Sequence, residues 1–340
     1  MSRRIVVASL VLLVGHSLLS AGAAAQSCVG QLVTEDYSYF PAPIPAGWFF
    51  ISLGAGPWFV EIGSYTAGCP APPSWCPTCG KGQAAASSPI NLSNGNTYIQ
   101  QMDIRVPGLG NGLTLQRTWN SIWPSTITAF QTGMFGLGWR STYEERVFQS
   151  SNYIMYLRGD GGFWVFGNSN GSTWKLQSPA SVIATLTQNG TQSWTLAFQN
   201  GEKRTFDYTS GSLTAIADPN GNTTQLTYDG THRLVTVTDP ANRHLYFTYG
   251  NGSNNLLVTS VTSDAAPSWS YSYDSQNRLT LVTRPDQTTN SFVYNSQSLI
   301  SQVLDSGGQV LESHTYDANN RSLTSSRAGG VESVTVSYPQ

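Results

Sequence analysis

The residues best placed to do chemistry are Cys76 and Cys79, in the run Trp75-Cys76-Pro77-Thr78-Cys79. A Cys-x-x-Cys pair can lower a thiol pKa and exchange disulfides, but the βαβ context of such a redox site is missing. Here Pro70, Pro72, Pro73 and Pro77 surround the pair and disfavour any helix. A structural zinc site would need two close ligand pairs. Cys28 stands alone, Cys69 has no partner in ligand spacing, and no histidine lies nearby.

Other candidate groups are equally bare. Glycoside hydrolysis needs two carboxyls converging across a sugar. Glu144-Glu145 is an adjacent acidic pair that a strand would send to opposite faces. Glu35-Asp36 lies in a proline-rich stretch. Nucleophilic catalysis would call on His232, His244 or His314, yet no Gly-x-Ser-x-Gly elbow accompanies them. Asp218, Asn220 and Asn222 have calcium-loop spacing without the closing glutamate. Gly159-Asp160-Gly161-Gly162 is a turn, because no Gly-Lys-Ser/Thr or helix follows. No catalytic residue, cofactor or metal ligand is expected.

The composition indicates what such residues would be mounted on. Charged residues make up 11% of the chain, against about 25% in ordinary soluble domains. Ser, Thr, Asn, Gln and 33 glycines replace them, with abundant Tyr and Trp. That is the profile of an exported β protein with many turns. A net charge of −2 gives no basic face for phosphates, so nucleic acid is not an expected partner.

Arg3 and Arg4 precede an apolar run from Ile5 to Leu19, followed by Ala23-Ala24-Ala25. This is a secretory signal peptide pattern with cleavage expected after Ala25, leaving no stable membrane span. The residues before Cys28 make a poor lipobox. In an oxidising compartment, Cys28, Cys69, Cys76 and Cys79 are expected to form two structural disulfides, with three connectivities open.

Residues 26–86 carry Pro41-Ala42-Pro43-Ile44-Pro45 and no clean periodicity, which suits a small stapled segment. From about 87 the texture becomes strand-like: Asn94-Gly95 is a hairpin signal, and Leu113 to Trp119 alternates. No convincing helical stripe occurs in the mature chain. The C-terminal half repeats. Tyr208, Tyr228, Tyr249, Tyr273, Tyr294, Tyr316 and Tyr338 stand 20, 21, 24, 21, 22 and 22 residues apart. Each unit reads as two short strands and two turns, with Tyr-Asp-x-x-x-Arg-Leu forming one hairpin. The fullest copies are Tyr228-Asp229 with Arg233-Leu234, Tyr273-Asp274 with Arg278-Leu279, and Tyr316-Asp317 with Arg321. A lone hairpin is marginal, so neighbours must share a core.

This repeat resembles the YD repeat of RHS and teneurin-type proteins. Upstream, Pro89-Ile90-Asn91, then Arg117-Thr118-Trp119-Asn120 and Gly136-Leu137-Gly138-Trp139-Arg140, resemble the DUF6531-like domain that precedes the repeats in bacterial RHS proteins. The resemblance covers about residues 87–340. It implies an all-β fold, a spiralling antiparallel hairpin array able to form part of a β-shell, preceded by a small β domain. The expected division is a signal peptide at 1–25, a Cys/Pro-rich segment at 26–86, the RHS-associated domain at 87–160 and the YD-repeat sheet at 161–340. In relatives the shell encloses a C-terminal toxin or effector, freed by cleavage at an aspartate motif. Asp218-Pro219 and Asp239-Pro240 lack the upstream proline of that motif, so no cleavage residue carries over. The last unit lacks its second half after Tyr338, and the chain is expected to be a fragment. The expected function is a non-enzymatic structural module, secreted or at the cell surface. The alternative is a carbohydrate-binding module for cell-surface glycans, with a glycan-active enzyme more distant. The two main readings separate on whether Trp164, Trp174, Trp194 and Trp269 are buried or line an exposed strip.

Overall fold

Strands with apolar residues at every second position need a second layer, and short strands need neighbours on both edges. The computed structural model describes residues 90–338 apart from 151, 181, 251–255, 328–329 and 331, together with three short strands nearer the N-terminus. The signal segment and all four cysteines lie outside the described residues. The three short strands, Val33–Thr34, Trp48–Ser52 and Pro57–Glu61, form a small antiparallel sheet with the last of them in the middle. They belong to a separate unit, Met1–Pro70.

The rest is an all-β unit with two parts. The first is a four-stranded antiparallel sheet of Ile90–Asn91, Asn96–Val106, Leu113–Asn120 and Trp139–Ser141, in that order. The second is a single antiparallel sheet of 19 strands, running in strict sequence order from Arg146–Ser150 to Glu332–Thr335. It winds past its own beginning. The free edge of the first strand meets the start of the eighth, Leu213–Ala217: Arg146 bridges Ser212 and the Val147 N–H donates to the Gly211 carbonyl at 2.9 Å. A bare edge that would otherwise invite another chain is thereby covered.

The repeat strands carry one inner and one outer face. Thr223–Tyr228 buries Thr224 and Leu226, and Leu234–Thr238 buries Leu234 and Val237. The same positions hold Leu245 and Phe247, then Val258 and Val261, then Leu279 and Val282, then Asn290 and Phe292. Against this inner face packs the first part of the unit: Phe135 meets Tyr271 at 4.8 Å between ring centroids, Trp139 meets Phe292 at 5.2 Å, and Tyr143 meets Phe247 at 6.5 Å. One core therefore serves both parts. Trp194 is buried in it, while Trp164, Trp174 and Trp269 are half-buried against it.

Inner and outer positions on one strand should differ sharply in energetic weight. Phe292→Ala, which empties the site beside Trp139, is expected to cost about 3–5 kcal/mol. Val293→Ala, one residue along and facing outward, should change stability by less than about 0.5 kcal/mol. Urea midpoints of the two variants check this; equal losses would mean that the inner face is not the core.

Candidate functional site

The repeated chemistry of this chain is concentrated at its turns. In the Asp229 turn, the carboxylate Oδ1 accepts the backbone N–H groups of Thr231 and Arg233 at 2.9 and 3.0 Å, and Oδ2 accepts Arg233 Nε at 2.7 Å. The Asp274 turn repeats this with Gln276 and Arg278 at 2.9, 3.0 and 2.7 Å. The Asp317 turn does so with Asn319 and Arg321 at 2.8, 2.9 and 2.7 Å. The residue before each arginine adopts a positive φ, at His232, Asn277 and Asn320. This is a type I turn closed by a bulge, the three-residue hairpin connection. Asp218 forms the same turn, so its carboxylate is occupied by Asn220 and Asn222.

The tyrosine and the arginine of the motif act between copies. Tyr249 Oη donates to the Leu234 carbonyl at 2.9 Å, Tyr273 to Val258 at 2.6 Å, Tyr294 to Leu279 at 2.9 Å and Tyr316 to Ile300 at 2.7 Å. Each acceptor is the first residue of a strand in the preceding unit. The arginine guanidinium of one copy then covers the tyrosine ring of the next: Arg233 over Tyr249 at 5.0 Å, Arg278 over Tyr294 at 4.8 Å, Arg321 over Tyr338 at 4.1 Å. Such contacts add to stability when partly desolvated. Leu234 and Leu279 are buried in the core.

Where the first part docks on the sheet, a polar group sits inside the core. Arg117 is fully buried; its Nε and one Nη donate to Asp103 at 2.5 and 2.9 Å. Tyr271, from the repeat sheet, donates to the same carboxylate at 2.7 Å. The rings of Trp139, Tyr271 and Phe135 surround the guanidinium at 4.8, 5.2 and 5.5 Å. Burial opposes the Arg117 charge, and the adjacent Asp103 carboxylate more than offsets it, so the cation is held. Burial and the same carboxylate push the Tyr271 phenol well above its ordinary value.

The other motif residues brace this joint. Trp119 is buried, and Asn120 accepts from Asn96 at 2.9 Å and donates to the Asp160 carbonyl at 3.0 Å. Gly136 and Gly138 have positive φ, and a Cβ would stand 2.5 Å from the Asn277 carbonyl oxygen and 2.4 Å from Trp119 Nε1 respectively. Trp139 packs on Phe292. Arg140 donates to the Glu144 carbonyl and lies 3.6 Å from the Glu144 carboxylate.

Glu144 and Glu145 lie in the loop before Arg146–Ser150 rather than on a strand. Glu144 accepts the Met134 N–H at 2.7 Å, and Glu145 accepts the Tyr156 hydroxyl at 2.7 Å beside Arg204. Burial raises the Glu145 pKa. The two carboxyls border one cavity, but each is held by its own partners. His232 is an exposed turn residue, and His244 contacts Asp264 at 2.7 Å. Ser325, His314 and Glu312 fall in a row, with 2.8 and 3.4 Å between them, but Ser325 is 0% exposed and cannot meet a substrate. Among the described residues no group of three His, Cys, Asp or Glu could hold a metal ion.

Asp103 and the tyrosine hydroxyl bonds are absent from the motif reading. Asp103 lies on the inward face with Ile99 and Gln101, and a bulge between Met102 and Ile104 in the pairing of Asn96–Val106 with Leu113–Asn120 turns Ile104 to the same side. Nothing in the local pattern marks that bulge.

Comparison with known proteins adds the following. The model described as "Domain of unknown function (DUF6531)" matches residues 87–166, and that described as "RHS Repeat" matches 206–244 and 248–289. The tRNA nuclease WapA of Bacillus subtilis (strain 168) is 30% identical over 264 residues, covering 72% of this chain and 11% of that protein. Teneurin-3 of Mus musculus is 29% identical over 130 residues, covering 37% and 5%. The chain thus spans about a tenth or less of these relatives. Among solved structures, the TcdB2-TccC3-Cdc42 crystal structure is similar at 10% identity and a TM-score of 0.28, covering 70% of this chain and 18% of that one.

Two outcomes follow from these sites. Asp103→Asn and Arg117→Met each leave a buried partner uncompensated and are expected to cost about 3–5 kcal/mol, whereas Tyr271→Phe removes one hydrogen bond to a charged group, about 1.5–3 kcal/mol. Urea denaturation ranks them; Tyr271→Phe matching Asp103→Asn would mean that the ion pair is not the anchor. The turn aspartates give a pH signature. The Asp229 pKa is held low by the Arg233 N–H first and the Thr231 hydroxyl next. At Asp274 and Asp317 burial works against ionisation, and the arginine N–H and guanidinium outweigh it. A folded pKa below the unfolded one gives stability that is complete above about pH 4 and is lost as pH falls through the folded values. Urea midpoints from pH 7 down to 2.5 should therefore fall below about pH 4, and less steeply in an Asp229→Asn/Asp274→Asn/Asp317→Asn variant; an unchanged slope would remove these turns as the cause.

Proposed function

We propose, from the premise that the chain belongs to the RHS/YD-repeat family, that it is a non-enzymatic module of an exported protein, the opening part of a β-shell that encloses a C-terminal toxin or effector. The observation that carries this reading is the winding of the 19-stranded sheet past its own first strand, with the DUF6531 part packed on the inner face. A sheet so wound has an inside, and that part packs against it. The motif residues support the same reading because their hydrogen bonds are spent within and between copies rather than aimed at a cleft. The nuclease activity in the WapA name is that relative's own, and this chain aligns with only 11% of it.

In this reading residues 1–25 are a signal peptide and 26–86 a Cys/Pro-rich segment stapled by Cys28, Cys69, Cys76 and Cys79. Residues 87–160 are the RHS-associated domain and 161–340 the repeats, although the sheet itself begins earlier, at Arg146. Among the described residues no helix is long and apolar enough to cross a membrane. Trp164, Trp174, Trp194 and Trp269 are buried or half-buried against the core, which weighs against an exposed aromatic strip for glycans.

The test is the native protein itself, detected with an antibody against residues 90–338. The expected result is a secreted species well above the 36.7 kDa of this chain, with a downstream segment that resists protease until the repeats are unfolded. A secreted species slightly below that mass, or a protein kept inside the cell, would overturn the shell reading.

A further inference from the structure

A cavity of about 420 Å³ lies between the loops of the first part and the opening repeat turns. Its volume is in the range of small-molecule sites, about 300–1,000 Å³. Much of its wall is apolar or aromatic, including Phe130, Met134, Tyr228 and Tyr249. Five charged side chains also reach it: Arg140, Glu144, Glu145, Arg146 and Arg233.

Two of the three cations have their own anions. Arg140 pairs with Glu144 at 3.6 Å, and Arg233 pairs with Asp229 at 2.7 Å. Glu145, also on the wall, is taken by Tyr156 and Arg204. Arg146 is the unmatched one. Its guanidinium lies over the Phe130 ring at 5.2 Å and donates to the Ser210 carbonyl at 2.5 Å, and among the described residues it meets no carboxylate. Its Nε has no hydrogen-bond partner, and neither has the Nε of the largely buried Arg140. Burial, followed by the charge of Arg140, lowers the Arg146 pKa, more than Tyr228 and the more distant Glu144 carboxylate raise it. A charge held out of water is tolerated when a counter-charge meets it.

We propose that this cavity binds a small carboxylic acid with an apolar body, its carboxylate held by Arg146. One unmatched cation calls for one negative charge, which a monoanion supplies and a dianion exceeds. The planar fork of a guanidinium matches a carboxylate. The aromatic and methionine walls take an apolar tail. This site is independent of the shell reading.

Calorimetric titration of the full chain at pH 7 tests it with three probes: 3-phenylpropanoate, 3-phenylpropanamide and inorganic phosphate. The carboxylate should bind at least about tenfold more tightly than the amide, the ratio expected when a charge-assisted contact is lost. Phosphate should bind more weakly than 3-phenylpropanoate for want of an apolar body. Arg146→Gln should abolish the preference for carboxylate over amide. Equal affinity for carboxylate and amide, phosphate binding as tight as the carboxylate, or a preference surviving in Arg146→Gln would overturn the site. So would the absence of any heat with 3-phenylpropanoate at millimolar concentration. Should Arg146→Gln not fold, the three-probe ranking on the unaltered chain decides alone.

Discussion

A tyrosine hydroxyl reaching back to a backbone carbonyl of the preceding unit joins one copy to the next. A two-stranded hairpin cannot bury enough to stand alone, so each unit needs a fixed way to find its neighbour. Tyr249, Tyr273, Tyr294 and Tyr316 provide it, each bonding the first residue of a strand one unit earlier. That bond is possible only if the intervening turn holds a constant geometry. The aspartate imposes it by capping two turn amides, and the arginine closes the cap while its other face supports the next ring. The four motif residues are therefore one device.

The first part of the unit solves a different problem. An array that begins with a bare strand and an empty inner face would be exposed at both. Trp139, Tyr143 and Phe135 fill the inner face, and the Arg117–Asp103 pair fixes their register through Tyr271. Glycines at 136 and 138 let this segment run against the Asn277 carbonyl and the Trp119 ring. Backbone bonds extend the joint along the row of turns, from Gly95 with Ser322 to Met134 with Val258 and Glu145 with Leu213.

Much of this fold was legible in the sequence because its signals are local. Alternation gives strands, Tyr-Asp-x-x-x-Arg-Leu gives the hairpin, and the tyrosine spacing gives the period. Those signals, with the upstream Arg117 to Asn120 and Gly136 to Arg140 motifs, carry the likeness to RHS/YD-repeat proteins and the all-β class. What was not legible depends on contacts between residues far apart in the chain. The return of Arg146 to Ser212 spans seven intervening strand pairings, and no motif encodes it. Ile104 joins Asp103 on the inward face only because of a bulge. Glu144 and Glu145 read as strand residues by alternation but lie in a loop, where tertiary partners, Arg140 and Arg204, decide their directions.

The strict sequence order of the 19 strands also governs how the array forms and fails. Every strand after the first pairs with the one made just before it, so ordering can follow the chain as it emerges, with only short loops to close at each step. Tension applied at the C-terminal end would reverse that order and peel one hairpin at a time. The peeling would be checked at the bonds of Ser322 to Gly95 and of Val258 to Met134 before it reached the Val147–Gly211 and Leu213–Glu145 bonds of the first turn. The array thus behaves like a zipper with stops along its length.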